Sequence, residues 1–305
     1  MSPYKIDTST GRASQTKNAG SAITLRYRCT RIRFISRTRK DPVMVVMFVA
    51  LLLISFVMFY PFVYMIINSL RSENQYLAGS GFSISSWKAL FSELPVGQEL
   101  FNSTLVSVSA ILLILAASSA AGFAFAKLKF RRQHLVFLAI VGSMMVPLQS
   151  IIIPEYVNFA NLGLIDNFLS AILTYTALGM PFATFLMSTF YRGLPDEILE
   201  AGLCDGVTHL GSFWRLALPM SLPALGTVAV LQFIQIWDDL LVGLLFLQQP
   251  SIRTITVGLG VLSSGRVMSI PVLMAGSLVS ALPAVLVYLF FQRFLVSGLT
   301  LGANR

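Results

Sequence analysis

Long apolar stretches alternate with short polar ones along most of the chain. Six stretches have about the 20 apolar residues that a helix needs to cross a bilayer. They lie at 43–68, 102–126, 135–154, 168–190, 220–247 and 271–292. The third is the least regular, because Pro147 and Pro154 interrupt it. The pattern predicts an all-α polytopic membrane protein with six transmembrane helices.

The composition supports a membrane protein and excludes an ordinary soluble domain. Hydrophobic residues make up 55% of the 305 residues, charged residues only 11%, and the mean hydropathy is +0.76. Soluble domains carry roughly 25% charged residues. The net charge of +9 does not indicate nucleic acid, because ten of the 22 Lys and Arg precede residue 43. We therefore expect the lipid bilayer, and no nucleic acid, as a partner.

The distribution of Lys and Arg sets the orientation, because cytoplasmic loops carry an excess of both. Six spans put the two termini on one side, and that side carries 18 Lys and Arg against four on the other. We therefore predict that both termini and the polar loop after the fourth span are cytoplasmic. Cys29 and Cys204 fall in such segments, so no disulfide is expected, and their spacing fits no metal site.

Two regions follow from this pattern. Residues 1–40 form a basic extension that we expect to be disordered and cytoplasmic, and residues 41–305 form the six-helix membrane domain. The segment from Arg26 to Lys40 interleaves Arg with apolar residues, which is typical of a segment lying on anionic lipid. A specific regulatory or nucleic-acid role is the alternative.

The polar loop after the fourth span carries the signals of two short helices joined by a turn. Pro195 is a favoured first helical residue, and the acids that follow it complement the helix dipole. Gly206 can adopt the left-handed conformation that ends a helix. Thr208 can cap a second helix, which we expect to run through Trp214 and to end before Pro219.

The charge of this loop suits a basic partner. From Gly193 to Ala217 it carries four acids and one Arg, a net charge of −3 with His209 neutral. An acidic projection from a membrane domain fits a groove on a protein of opposite charge. The loop therefore predicts a soluble docking partner.

The order of residues in this loop resembles a known motif. Glu200-Ala201-Gly202-x-x-Asp205-Gly206, nine residues, and Leu216-x-Leu218-Pro219 are similar to the EAA loop of permease subunits of bacterial ABC importers. The family usually has Ala where Gly202 stands. The resemblance implies that residues 193–219, here called the coupling loop, contain the coupling helix that docks into an ATPase subunit. The docking residues would be Glu200, Ala201, Gly202, Asp205, Gly206 and Pro219, with Glu200 contacting a basic ATPase residue and Gly206 supplying the turn.

Further segments match the carbohydrate-type permeases, of the kind represented by the G subunit of the maltose importer. They occur in order as Asn102-Ser103, Ala124 to Arg131, Pro147 with Ile153-Pro154-x-Tyr156, Asn161 to Leu164, Trp237-Asp238-Asp239, and Gln292 to Ala303. The resemblance covers residues 43 to 305 and leaves out the N-terminal extension. It implies a multi-pass protein of the bacterial plasma (inner) membrane.

The same resemblance implies the partners. These are a homologous second permease subunit, two ABC ATPase subunits, an extracytoplasmic substrate-binding protein and a sugar substrate. ATP and Mg²⁺ would be bound by the partner ATPase, and no cofactor by this chain. The tail from Ser297 to Arg305 would reach the ATPase interface, or is simply a short cytoplasmic end.

The chain lacks the motifs of an enzyme. Gly260 and Gly265 have the spacing of a phosphate-binding loop, but Arg266-Val267 follows where Lys-Ser/Thr is required. Neither a His-Glu-x-x-His sequence nor a nucleophile elbow occurs. We therefore expect no ATP hydrolysis by this chain.

Two acids mark a candidate substrate pathway. Asp238 and Asp239 lie near the middle of the fifth predicted span, where an acid costs about 3 kcal/mol on insertion. With Trp237 and two nearby Gln they could hold sugar rings and hydroxyls. Alternatively, they cap broken backbone or pair with the sister permease. The family usually has Asn where Asp238 stands, so a contact there is not carried over directly.

The proline breaks of the third span give two further candidates. Gln149 and Tyr156 flank Pro147 and Pro154, where freed carbonyls require protein or a water-filled cavity. They could line the pathway, or the prolines could be a hinge without ligand contact. The outer loop from Gln248 to Ile270 could touch the binding protein, or be a plain connector.

Alternative functions remain. An ABC importer for another solute, such as an osmolyte, an amino acid or a phosphoester, would carry the same coupling loop. An ion-driven transporter or membrane scaffold acting without ATP would not need that loop.

Overall fold

A computed structural model describes the backbone of residues 42–265 and 269–301 and the side chains of residues 43–265 and 269–294. The predicted extension at 1–40, Cys29, Arg266 to Met268 and the last four residues lie outside the described residues. The regular structure of the described residues is all helical, and they contain no strand. By contacts the chain divides within α1, at Ile54/Ser55, and the contacts and sites described below lie in the second unit, residues 55–305.

The helices follow one another with short connections, apart from the loop before α13. They are α1 Pro42–Ser69, α2 Glu73–Ala78, α3 Ser85–Glu93, α4 Val96–Lys127, α5 Gln133–Gly142, α6 Leu148–Asn161, α7 Phe168–Arg192, α8 Asp196–Cys204, α9 His209–Ser212, α10 Leu218–Met220, α11 Leu222–Trp237, α12 Leu241–Phe246, α13 Ile255–Ser263 and α14 Ile270–Leu301. A 3₁₀ turn at Ser143–Met145 follows α5, and a π-turn at Phe213–Ala217 joins α9 to α10.

Four unbroken helices, α1, α4, α7 and α14, are long and apolar enough to cross a membrane. Two further candidates are bent pairs, α5 with α6 at 98° and the α9–α10 segment with α11 at 71°. Counting each pair as one span gives six. The expectation of an all-α polytopic protein is confirmed, and the described residues hold four to six spans.

The third predicted span, 135–154, is not one helix. α5 and its 3₁₀ turn end at Met145, Val146 and Pro147 are extended, and α6 begins at Leu148. A residue before proline is pushed out of the helical region, which explains the break at Val146. Pro154 lies inside α6 and does not end it.

The fifth predicted span, 220–247, is also wrong as a single helix. Ser221 separates α10 from α11, α11 ends at Trp237, and α12 begins at Leu241. Asp238 and Asp239 therefore lie at a helix break rather than in mid-helix. Average hydropathy does not register such a break, because apolar residues continue on both sides of it.

Small residues let α4, α7 and α11 pack closely, as is common between membrane helices. A Cβ on Gly122 of α4 would lie 2.7 Å from Met187 Cβ of α7. A Cβ on Gly179 of α7 would lie 2.5 Å from Gln232 Oε1 of α11. These three helices form the core to which the loops on both sides are attached.

α7 and α11 run antiparallel. Near the end of α7 the Tyr191 hydroxyl lies 3.0 Å from Ser221 Oγ, just before α11. Near its beginning the Tyr175 hydroxyl donates to Asp239 Oδ1 at 2.9 Å, just after α11. The two tyrosines are about 24 Å apart at 1.5 Å per residue. The coupling loop and the α11–α12 break thus lie at opposite ends of α7.

Candidate functional site

α8 begins one residue later than the sequence predicts. Pro195 is the extended N-cap residue, and Asp196 and Glu197 occupy the first turn. The Lys127 ammonium donates to the Leu194 carbonyl at 2.7 Å and to Asp196 Oδ1 at 2.5 Å. The last turn of α4 therefore holds the first turn of α8 in place.

The turn after α8 is a Schellman motif, as the glycine predicts. Gly206 has φ +81°, and its N–H donates to the Leu203 carbonyl at 3.0 Å. The Val207 N–H donates to the Gly202 carbonyl at 2.9 Å. These two bonds satisfy carbonyls that the helix end leaves free. A residue with a side chain is strained at this φ, so glycine fits the position best.

The second helix of the loop starts as expected and ends differently. The Thr208 hydroxyl caps α9 by accepting from the Gly211 N–H at 3.1 Å. The prediction of an end before Pro219 is wrong, because helical structure continues through the π-turn and α10 to Met220. The wider π-turn accommodates Pro219, whose ring would clash with the Arg215 carbonyl in a regular α-helix.

Five of the six predicted docking residues are exposed, and one is buried. Glu200, Ala201, Asp205, Gly206 and Pro219 are exposed, whereas Gly202 is buried. A Cβ on Gly202 would lie 2.7 Å from Leu216 Cδ1. α8 therefore packs its Gly202 side against the following segment and leaves Glu200 open to a partner.

Aromatic packing joins the coupling loop to the core. The buried Phe213 ring lies 5.3 Å from Phe123 of α4, and Phe123 meets Tyr191 of α7 edge to face at 5.7 Å. Such buried aromatic pairs add to the burial of large apolar area. The loop is thus packed against both long helices.

Trp237, proposed for the substrate pathway, is enclosed. Its side chain is 3% exposed, its indole N–H donates to the Ser280 carbonyl at 2.9 Å, and its ring stacks on Phe233 at 5.1 Å. Its own carbonyl accepts from the Thr256 hydroxyl at 2.9 Å. In this structure Trp237 connects the end of α11 to α13 and α14 and offers no open ring face.

The two acids of the break occupy different environments. Asp239 Oδ1 accepts from the Tyr175 hydroxyl and from the Val242 N–H, each at 2.9 Å. It therefore caps α12, which agrees with the alternative that these acids cap broken backbone. Asp238 is exposed, and its carboxylate has no hydrogen-bond partner among the described residues. Asp238 is thus the acid available to a ligand.

Sequence reasoning missed Tyr175 and Glu155, two polar residues near this break. Tyr175 donates to Asp239, and Glu155 Oε1 accepts from the hydroxyl of the neighbouring Thr174 at 2.7 Å. Tyr156 packs its ring 6.1 Å from Phe246 of α12. Glu155 could have been found, because it is the one acid between residues 133 and 161.

Gln149 lies away from the residues around the α11–α12 break. It is exposed in the first turn of α6, about 10 Å along the helix from Tyr156. The structure therefore brings Tyr156, Asp239 and α12 into one region and leaves Gln149 outside it.

The loop from Gln248 onward is held by hydrogen bonds from residues before α7 and in α4. Asn102 Nδ2 donates to the Ser251 and Arg253 carbonyls at 3.1 and 2.9 Å, and Ser103 Oγ accepts from the Ile255 N–H at 2.9 Å. Asp166 Oδ1 accepts from two backbone N–H groups at 248 and 249. These bonds hold the loop and α13 on the ends of α4 and α7.

Comparison with known proteins places the chain in a family. Residues 114–300 match the model of the "binding-protein-dependent transport system inner membrane component". An osmoprotective-compound uptake permease of Synechocystis is 31% identical over 84% of this chain and 90% of its own length. An arabinooligosaccharide transport permease of Bacillus subtilis is 32% identical over 66% and 71%.

Two further similarities agree. A diacetylchitobiose uptake permease of Streptomyces coelicolor is 27% identical over 84% of this chain and 87% of its own. The solved structure of a bacterial ABC transporter that imports the acidic polysaccharide alginate shares the fold, with a TM-score of 0.68 at 20% identity over 84% and 98% of the two chains. The described helices, the coupling-loop motif and these matches lead to one conclusion. The chain belongs to the family of binding-protein-dependent transport system inner-membrane components, the multi-pass permease subunits of ABC importers.

Proposed function

We propose that this permease carries a sugar or oligosaccharide, delivered by an extracytoplasmic binding protein, across the membrane. The residues that resemble carbohydrate-type permeases support this, as do relatives named for arabinooligosaccharides and diacetylchitobiose. The exposed Asp238 lies on the pathway, where a carboxylate can accept hydrogen bonds from sugar hydroxyls. Trp237, Asp239 and Tyr156 position that site, and Gln149 lies further along the pathway.

The coupling loop docks into an ATPase subunit. The observation that carries this proposal is that α8 exposes Glu200 while Lys127 and Phe213 fix its other side to α4 and α7. An exposed acid on a rigid helix suits a charge-assisted contact with a basic residue. By the excess of Lys and Arg, this loop and both termini are cytoplasmic.

The working importer contains this chain, a homologous second permease and two ATPase subunits, which bind ATP and Mg²⁺ and hydrolyse the ATP. Closure of the ATPase pair moves the docked α8 helices. Because Lys127 ties α8 to α4, a movement of α8 is passed to α4, and the pathway alternates between inward-open and outward-open.

The test compares two charge reversals. Glu200→Lys is expected to abolish co-purification of the ATPase and substrate uptake, while the chain stays in the membrane. Glu93→Lys makes the same change at an exposed acid at the end of α3, away from the coupling loop, and should retain both. Wild-type uptake and co-purification in Glu200→Lys would overturn the docking role.

A second candidate substrate is an osmoprotective solute, which the name of the Synechocystis relative favours. Uptake by whole cells in competition with unlabelled sugars and unlabelled osmolytes distinguishes the two. Inhibition by a sugar supports the first proposal, and inhibition only by osmolytes supports the second.

A further inference from the structure

An open cavity of about 400 Å³ lies between the beginning of α5 and the end of α7. Its lining combines basic and aromatic side chains with two polar ones. They are Phe130, Arg132, Gln133, His134, Phe137 and Arg192. None of these residues contributes to the coupling loop or to the substrate pathway.

The cavity is held in shape by contacts across three helices. Phe125 of α4 lies 5.7 Å from the Phe130 ring and 5.4 Å from the Phe137 ring. Gln133 Nε2 donates to the Phe125 carbonyl at 2.7 Å. The Arg192 guanidinium lies over the Phe137 ring, 5.2 Å from its centroid. The start of α5, the end of α4 and the end of α7 are therefore joined around one aromatic floor.

Two guanidinium groups line the cavity without a carboxylate. Among the described residues, the ion pair on this side is Lys127 with Asp196, and neither Arg132 nor Arg192 has an acidic partner. Arg132 also adopts φ +62°, a left-handed conformation that is costly for a residue with a side chain. Two cations that share one cavity repel each other, and an anion between them removes this repulsion. Guanidinium groups match phosphate oxygens with paired N–H donors.

The surroundings distinguish a phospholipid from a free anion. α5 exposes Leu135, Val136 and Leu138, which neighbour the lining residues His134 and Phe137 along the helix. The cavity lies at the ends of the spanning helices α4 and α7, where lipid headgroups meet water. A phosphodiester in the cavity could therefore extend its acyl chains along α5.

We propose that the cavity lined by Arg132 and Arg192 binds the phosphodiester headgroup of an anionic phospholipid. Basic pockets between membrane helices are suited to such headgroups. Arg192 is the last residue of α7 and precedes α8 by four residues, so the bound headgroup braces the junction between the core and the coupling loop.

The test uses the full chain in its native complex in mild detergent, after delipidation. Native mass spectrometry titrates phosphatidylglycerol and phosphatidylcholine against the wild type and against Arg132→Gln/Arg192→Gln. We expect the wild type to prefer phosphatidylglycerol, and the double variant to lose roughly thirtyfold in affinity, the effect of two cationic groups. Arg131→Gln, an exposed neighbour outside the cavity, should retain the wild-type affinity.

Two further measurements complete the test. Arg132→Lys/Arg192→Lys keeps the charge and should retain part of the preference, even if the Gln pair fails to fold. Inorganic phosphate at millimolar concentration should not displace phosphatidylglycerol. Equal binding of the two lipids by the wild type, unchanged binding by the Gln pair, or full displacement by inorganic phosphate would each overturn the lipid site.

Discussion

The Lys127 ammonium at the end of α4 lies 2.5 Å from the Asp196 carboxylate in the first turn of α8. The two side chains are unequal, since that of Lys127 is 7% exposed and that of Asp196 is 73% exposed. The buried lysine also donates to the Leu194 carbonyl. The junction between core and coupling loop therefore depends more on the lysine than on the aspartate.

Removing the lysine should loosen α8. Lys127→Met leaves the Leu194 carbonyl without its donor, which we expect to cost about 1–3 kcal/mol locally. Asp196→Asn removes the charge that pairs with Lys127, but the Leu194 carbonyl still accepts from the ammonium, so this variant should cost less than Lys127→Met. Hydrogen exchange of the α8 amides measures the difference, and equal exchange in the two variants would contradict this view of the junction.

A substitution at the left-handed turn of Gly206 should lower ATP-driven uptake by more than its effect on protein stability explains. Gly206→Ala places a side chain at φ +81° and should destabilise the turn by about 1 kcal/mol. Gly163→Ala is the matched control, because Gly163 has φ +67° and also has open space around its Cβ. Both variants should lose similar thermal stability, but only Gly206→Ala should lower ATP-driven uptake. A similar loss of uptake in both would show that the turn has no special role.

Two glycines should respond very differently to an added methyl group. At Gly202 the obstacle is the terminal methyl of Leu216, which can rotate away, so Gly202→Ala should change stability by no more than about 1 kcal/mol. At Gly122 the obstacles are Met187 Cβ and the Ser188 backbone nitrogen, which cannot move separately from α7. Gly122→Ala should therefore cost about 1–3 kcal/mol by forcing α4 and α7 apart. Thermal unfolding in detergent checks both, and a tolerated Gly122→Ala would refute the close packing.

Substitutions of the two acids after Trp237 should differ in their effects, one on stability and the other on transport. Asp239→Ala removes the acceptor for Tyr175 and the cap of α12 and should destabilise the protein by about 1–3 kcal/mol. Asp238→Asn alters an exposed side chain and should leave unfolding unchanged. If Asp238 lies on the substrate pathway, its variant should alter the KM of uptake. An unchanged KM would remove Asp238 from the pathway.

Short-range signals predicted the coupling loop well. Gly206 and Thr208 act through their own backbone and hydroxyl, so their roles as turn and cap are readable from local sequence. The end predicted before Pro219 is wrong because a π-turn precedes the proline, and Phe213 in that turn packs against Phe123 of α4. A contact between residues 90 positions apart leaves no local signal.

Hydropathy located the spans but not their breaks. The α11–α12 break is held by Tyr175, which lies 64 residues from Asp239, and by the indole of Trp237, which reaches Ser280. An average over apolar residues cannot detect such partners. Val146-Pro147 was a readable break, since the proline restricts the residue before it, but its 98° angle depends on the packing of α5 and α6.

The antiparallel contacts of α7 link the two ends of the core. Tyr191 connects one end of α7 to the start of α11, and Tyr175 connects the other end to the residues after α11. α7 is unbroken from Phe168 to Arg192, whereas residues 238–240 lie between two helices. Under the proposed docking, a displacement of the coupling loop would reach Asp239 through the two tyrosines of α7, which are about 24 Å apart. The exposed Asp238 stands beside the point where that displacement would arrive.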